Sequence, residues 1–499
     1  MISPLLFISI LSAYFGALLF ISWYTGRNAN ESGYFLGNKK SPWYAVAFGM
    51  LGDSLSGVTF ISVPGAVAAQ KFSYLQLVLG YIIGYWIIAG VLFPLYYKLK
   101  LTSIYSYLKT RFGPASEKTG SFFFLISRTL GAAARLYLAV GVIQIFIFDA
   151  LGVPFAVSVS VIIVLILIYT LRGGIKTLVW TDTFQSLFLL LGVVFSIVAI
   201  ASQLDWGPAE IISRISNSDY FHVFNWEWQS KAFFPKQFLG GVFIAVSMSG
   251  LDQNMMQKNL SMETSQDAQK NIRWFSVMMA IVNVFFLSLG ALLYLYASEK
   301  GIALPAKGDD LFPMLALNHL GVFASVVFIL GLTAATFSSA DSVLTTLTTS
   351  FYIDVLNVDP KQTVFENKFK ANLRYLIHGS FAVLLLLVIL LIRELNSSAV
   401  IDTVLLIAGY TYGPLLGMFS FGILTKRDPK DYLVPLICLL SPALCFGVSR
   451  IPVQYIGGYQ LGNEILILNG FFTFLGLWAI SSSQKSQGTS SISRNSALQ

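Results

Sequence analysis

Residues 334–342, Ala-Ala-Thr-Phe-Ser-Ser-Ala-Asp-Ser, place three serines and an aspartate inside a long apolar stretch. On a helix, positions three and four apart share a face. Ala335, Ser338 and Ser339 therefore line one patch, and Ser338, Asp341 and Ser342 line an adjoining one. Hydroxyls, carboxylates and freed backbone carbonyls are the ligands of hard cations, and Na+ is such a cation. An ionisable group at membrane depth marks an ion path, a substrate site or a proton relay. A second carboxylate, Asp182 in Trp-Thr-Asp-Thr-Phe-Gln, opens another apolar run less than two turns from its start. It is either a partner for this chemistry or a helix-end aspartate facing cytoplasmic water.

Arg128 and Arg135 lie seven apart within a further apolar run, separated by small residues. A buried guanidinium needs an acceptor and grips carboxylates through a two-pronged fork. A transported carboxylate is one partner for Arg135; an internal one, such as Asp53, is the other. Arg128 is read as structural. Ser56 and Thr59 follow the first interruption in the apolar pattern, Tyr74 and Gln76 start the next apolar run, and Gln253 follows the second interruption; these are the other candidate pocket residues, with Tyr74 equally readable as an interface anchor.

The elements that hold these groups are membrane helices. Of 499 residues, 56% are hydrophobic and only 11% charged, against about 25% charged in soluble domains. Apolar runs of roughly 20 residues, enough to cross a bilayer, recur throughout, and thirteen spans are expected. Most of the 32 Lys and Arg fall on alternate loops, which puts the N-terminus outside and the C-terminus in the cytoplasm. Topology thus accounts for the net charge of +8 without a nucleic-acid partner. Residues 1–23 lack a positive leading segment, so they are expected to remain as a span rather than act as a signal peptide. Cys438 and Cys445 sit seven apart on one expected helix, about 10.5 Å along its axis, too far for a disulfide.

Two spans look broken. The first carries Gly49, Gly52, Asp53, Ser54, Ser56, Gly57 and Pro64; the second carries Gly240, Gly241, Ser247, Ser249, Gly250 and Asp252. They are the second and seventh spans. Paired interrupted helices at matching positions indicate an inverted-repeat transporter with its site near the midplane. Gly80 and Gly84 are read instead as close-packing positions.

Together, Gly-Gly-Ile-Lys-Thr-Leu-Val-Trp-Thr-Asp-Thr-Phe-Gln (173–185), the stretch from Gly250 to Asn271, Ala334–Leu344 and Tyr412–Arg427 resemble the sodium/solute symporters over nearly the whole chain. The resemblance implies an all-α fold with a leucine-transporter-type core of five plus five inverted helices. The repeats would be residues 42–203 and 236–424, joined by an outside loop at 204–235. A first helix with its loop (1–41), two further helices (425–481) and a disordered cytoplasmic tail (482–499) would complete the chain. It also implies a main Na+ site formed by the carbonyls of Gly52 and Leu55 with Ala335, Ser338 and Ser339. A second site would involve Asp182, Ser338 and Ser342, with Asp341 where some members have serine. Asp341 could then ligate a second Na+, carry a proton or pair with a basic group, and ligation is the favoured reading. Arg135 resembles the arginine that meets the carboxylate in members carrying organic acids.

A pump or enzyme is disfavoured. Gly-Gly-Ile-Lys-Thr lacks the spacing of a phosphate loop, and His222, His319 and His378 are scattered. A channel fits the paired breaks less well, and no kinase- or receiver-like extension supports a membrane sensor. The expected function is Na+-coupled uptake of a small organic solute by a monomer in the cell membrane, without an organic cofactor. An acid such as sialate or a monocarboxylate is favoured over a sugar, inositol or amino acid.

Overall fold

In a bilayer every backbone polar group must be satisfied within its own segment, so long apolar runs become helices wherever glycine, proline or buried polar groups do not interrupt them. The computed structural model describes residues 4–27, 31–358, 367–395 and 400–483. Its principal helices are α1 (Pro4–Gly26), α2 (Trp43–Ser54), α3 (Gly57–Gly65), α4 (Tyr74–Ile87), α5 (Pro114–Ile143), α6 (Phe155–Leu204) and α7 (Phe234–Ala245). They continue with α8 (Gln253–Leu260), α9 (Ser265–Glu299), α10 (Gly321–Ser350), α11 (Asn367–Leu395), α12 (Val400–Leu424), α13 (Val434–Ser449) and α14 (Ile465–Ala479). Proline at the start of α5, α7 and α13 costs no hydrogen bond there.

Among the described residues, eight helices are long and apolar enough to cross a membrane, or nine if α2 and α3 count as one bent span. The other expected passes fall on the shorter helices Phe155–Leu171 (half of α6) and α14, on the α7–α8 pair, and on α12.

Both expected breaks are present. Between α2 and α3, Leu55 (φ −91°, ψ 66°) and Ser56 (φ −65°, ψ 176°) leave the helical region, and the chain bends by 58°. The carbonyls ending α2 thereby lose their intrahelical partners. Between α7 and α8, a π-helical turn at Val246–Gly250 runs into Leu251 and Asp252, which is extended at φ −113°, ψ 122°. The Asp252 carboxylate accepts the Met255 amide at 3.1 Å and caps α8.

Residues 172–176, between two of the expected spans, form a hinge within α6. The helix passes through it and turns at Gly174, with φ 51° and ψ −142°. A Cβ there would lie 2.4 Å from the Tyr34 carbonyl oxygen. Gly174→Ala should therefore cost about 1–3 kcal/mol, measurable as a lower melting temperature of the purified protein; an unchanged melting temperature would show that the hinge tolerates a side chain.

Close packing at small residues assembles the bundle. A Cβ on Gly80 of α4 would lie 2.1 Å from the Phe238 carbonyl oxygen, and one on Gly84 would lie 2.5 Å from that of Val242, so α4 and α7 touch backbone to backbone. Gly49 and Gly52 bring α2 against α6, where a Cβ would lie 3.1 Å from that of Asp182 and 2.6 Å from Ser186 Oγ, respectively. Gly192 and Gly331 bring together α6 and α10, with the Phe60 ring against them.

The loop between α6 and α7 contains a short helix, Pro208–Ser216. The expected disordered tail begins instead as a strand: β2 (Ser481–Ser483) pairs antiparallel with β1 (Arg427–Pro429). The remainder of that tail, 484–499, lies outside the described residues. Cys438 and Cys445, the chain's two cysteines, are both free and buried.

Candidate functional site

The unwound segments face one cavity enclosing roughly 930 Å³, including its open mouth. From the first break come Asp53, Leu55, Ser56 and Thr59; from α4, Tyr74, Tyr81 and Tyr85; from α5, Arg128 and Arg135; from α9, Met279 and Asn283. Met248, Ser249 and Met255 line it from the second break. The wall thus combines three phenols, three thioethers and two guanidinium groups.

The two arginines differ in what they meet. Arg128 is buried, and its Nε and Nη2 donate to Asp252 Oδ2 and Oδ1 at 2.6 and 2.7 Å. Tyr412 also donates to Oδ2, at 2.6 Å. The carboxylate at the second break is therefore fully engaged by α5 and α12. Arg135, one face-repeat further along α5, is half-buried in the cavity wall and has no hydrogen-bond or ion-pair partner among the described residues.

Asp53, the alternative partner for Arg135, has one oxygen engaged elsewhere, while its Oδ1 is buried with no hydrogen-bond partner among the described residues. Its Oδ2 accepts from Asn254 at 2.7 Å and from Lys258 at 3.0 Å. The same Lys258 ammonium lies 2.6 Å from Asp182 Oδ2. Ser338 donates to Asp182 Oδ1 at 3.4 Å and Ser342 to Oδ2 at 3.3 Å. Asp341 accepts the Tyr169 hydroxyl at 2.8 Å, while its Oδ1 is buried with no hydrogen-bond partner among the described residues.

The first expected cation patch gathers around Gly52. Its amide donates to Ser186 Oγ at 2.8 Å, and a Cβ there would lie 2.6 Å from Ser186 Oγ and 2.9 Å from Ser338 Oγ. Only a glycine lets the end of α2 approach α10 this closely. Ala335, Ser338 and Ser339 are all buried on that part of α10. The Ser339 hydroxyl contacts the carbonyls of Ala335 and Thr336 at 3.3 and 3.2 Å, long contacts that leave its oxygen lone pairs available.

Residues 34–431 match the sodium:solute symporter family. The chain belongs to that family. The symporter is 26% identical to the sodium/sialic acid symporter SiaT of Proteus mirabilis over 433 residues, 84% of each protein. It is likewise 26% identical to the sodium/sialic acid symporter NanT of Aliivibrio fischeri, covering 93% of this chain and 92% of that one. It shares its fold with the solved outward-open, substrate-bound structure of a Na+-coupled sialic acid symporter, at a TM-score of 0.80, 23% identity and coverage of 94% and 96%. The symporter is thus an all-α, multi-pass membrane transporter of the leucine-transporter-type fold, with Na+ as its coupling ion.

Ser56, Thr59, Tyr74 and Arg135 line the cavity of the symporter, whereas Gln76 and Gln253 do not. Gln76 is buried, donates to the Ala232 carbonyl at 2.9 Å and accepts from the Asn225 amide at 3.3 Å, anchoring the loop before α7. Gln253 donates to the Thr102 carbonyl at 3.0 Å and accepts the Ile104 amide at 2.9 Å. Each amide uses both its polar ends on backbone that would otherwise be unpaired.

Lys258 escaped the sequence reading because its position, six residues past Asp252 and next to Asn259, resembles a cytoplasmic loop. Its helix instead re-enters the bundle, leaving the lysine only 1% exposed. Tyr81, Tyr85 and Asn283 looked like ordinary span residues. Helical spacing from Tyr74 does place Tyr81 and Tyr85 near its face.

Proposed function

We propose that the symporter moves a small organic acid into the cell together with Na+, by alternating access around the cavity between the two breaks. The observation carrying this reading is Arg135. Arg128 and Lys258 have carboxylates of their own, whereas Arg135 presents to a cavity with three tyrosines a guanidinium that has no ion-pair partner among the described residues. A desolvated cation needs an anion, and a fork of N–H donors fits a carboxylate. The relatives named sodium/sialic acid symporters carry such an acid, which supports the same class here.

Na+ is assigned to the carbonyls of Gly52 and Leu55 with Ala335 and the Ser338 and Ser339 hydroxyls. Half-helix ends supply the partial negative charge that this set lacks. Ion and acid share the first break, so each raises the affinity for the other by the same factor. Asp182, Ser338, Asp341 and Ser342 form a second oxygen-rich site beside it. The repeats are assigned to residues 42–203 and 236–424. The protein is read as a monomer in the cell membrane, with its N-terminus outside and its C-terminus in the cytoplasm.

The test is uptake by proteoliposomes of labelled sialate, pantothenate, lactate, proline, glucose and inositol, with an inward Na+ gradient and with K+ replacing Na+. Na+-dependent uptake of an acid supports the proposal; Na+-dependent uptake of a neutral sugar alone rejects the role of Arg135. Ser339→Ala should raise the Na+ concentration for half-maximal uptake about tenfold, the loss of one ligand contact worth roughly 1.4 kcal/mol. Unchanged Na+ activation would remove Ser339 from the ion site.

A further inference from the structure

Three carboxylates, Asp53, Asp182 and Asp341, converge where α2, α6 and α10 meet, and all three are buried. Lys258 is the cation placed among them: its ammonium lies 2.6 Å from Asp182 and 3.0 Å from Asp53. Ser338 and Ser342 contact the same Asp182 carboxylate. The seat that the family resemblance implies for a second Na+ is therefore already held by a positive charge fixed to the chain. Resting on the symporter reading above, we infer that the Lys258 ammonium is the resident cation of the Asp182 site and excludes a second Na+ from it.

Two monovalent cations on one carboxylate repel each other strongly in a low-dielectric interior, so ammonium and Na+ compete for Asp182. A buried ammonium also cannot easily leave without another anion to receive it, which favours lysine while Asp53 shares the load. The seat is built rather than accidental. Asn254 donates to the same Asp53 oxygen at 2.7 Å, and Thr346 donates to Asn254 Oδ1 at 3.2 Å, fixing the start of α8 against α10. Because Asp53 also lines the cavity, Lys258 joins the substrate chamber to the ion site. A single Na+ would then accompany each monovalent acid, and that cycle would move no net charge.

Binding of radiolabelled Na+ to the purified full-length protein counts the ions directly and needs no identified solute. Wild type should saturate at about one Na+ per chain. Lys258→Met, which keeps the stem and removes the charge, should bind about twice as many, and adding Asp182→Asn to Lys258→Met should return the count to one. Two ions bound by wild type overturns the inference without any variant, so the test survives a poorly folding Lys258→Met. One ion bound by a folded Lys258→Met also overturns it. Absence of Na+ binding in wild type would reject the main-site assignment instead, a result distinct from either.

Discussion

Arg135→Gln removes uptake of the organic acid and leaves Na+ binding near its wild-type level. The guanidinium faces the cavity and has no hydrogen-bond or ion-pair partner among the described residues, so its loss strands no carboxylate among them. The cost falls on the bound acid, whose carboxylate would be desolvated without a counter-charge. Truncating one member of a buried hydrogen-bonded charge pair costs roughly 2–5 kcal/mol, about 30-fold to several thousandfold in affinity. Glutamine keeps donors and much of the volume but not the charge or the fork. The proposed Na+ ligands lie on the α2 end and α10, apart from α5. Concentration-dependent uptake beside radiolabelled Na+ binding separates the two effects. Wild-type acid uptake by Arg135→Gln would dismiss the carboxylate assignment, and loss of both activities would make Arg135 structural.

Arg128→Met should damage the fold itself. It leaves the Asp252 carboxylate buried at the second break with the Tyr412 hydroxyl and its own helix cap. Breaking a buried pair from one side costs about 3–5 kcal/mol, whereas exchanging both partners for apolar groups is close to neutral. Arg128→Met should therefore show a markedly lower melting temperature and a lower yield of monodisperse protein. Combining it with Asp252→Leu and Tyr412→Phe, which removes the stranded hydroxyl, should recover much of the loss. A melting temperature for Arg128→Met equal to that of wild type would mean that water reaches Asp252 and that the pair does not hold α5 and α12 to the break.

The paired breaks were legible because glycine, serine and aspartate are costly in the middle of an apolar span and stand out against it. The faces of α10 were legible because helical spacing is fixed. Long-range partners were not. Nothing local in the sequence says that Tyr169 reaches Asp341 or that Lys258 folds back to Asp182. A lysine near the end of a span normally marks the membrane boundary; here the boundary rule fails because the half-helix after the break stays within the bundle. Gln76 and Gln253 misled for a related reason. A polar side chain at a helix start or beside an interruption can face a ligand or repair loose backbone, and only the position of the neighbouring loop distinguishes the two.

The burial of Cys438 and Cys445 on α13 has a practical consequence. With no accessible native thiol in the fold, reporter cysteines can be placed on α4 or α10 without first stripping the protein of its own. Spin-label distances across the cavity mouth, recorded with and without Na+, would then follow opening and closing in the otherwise native sequence.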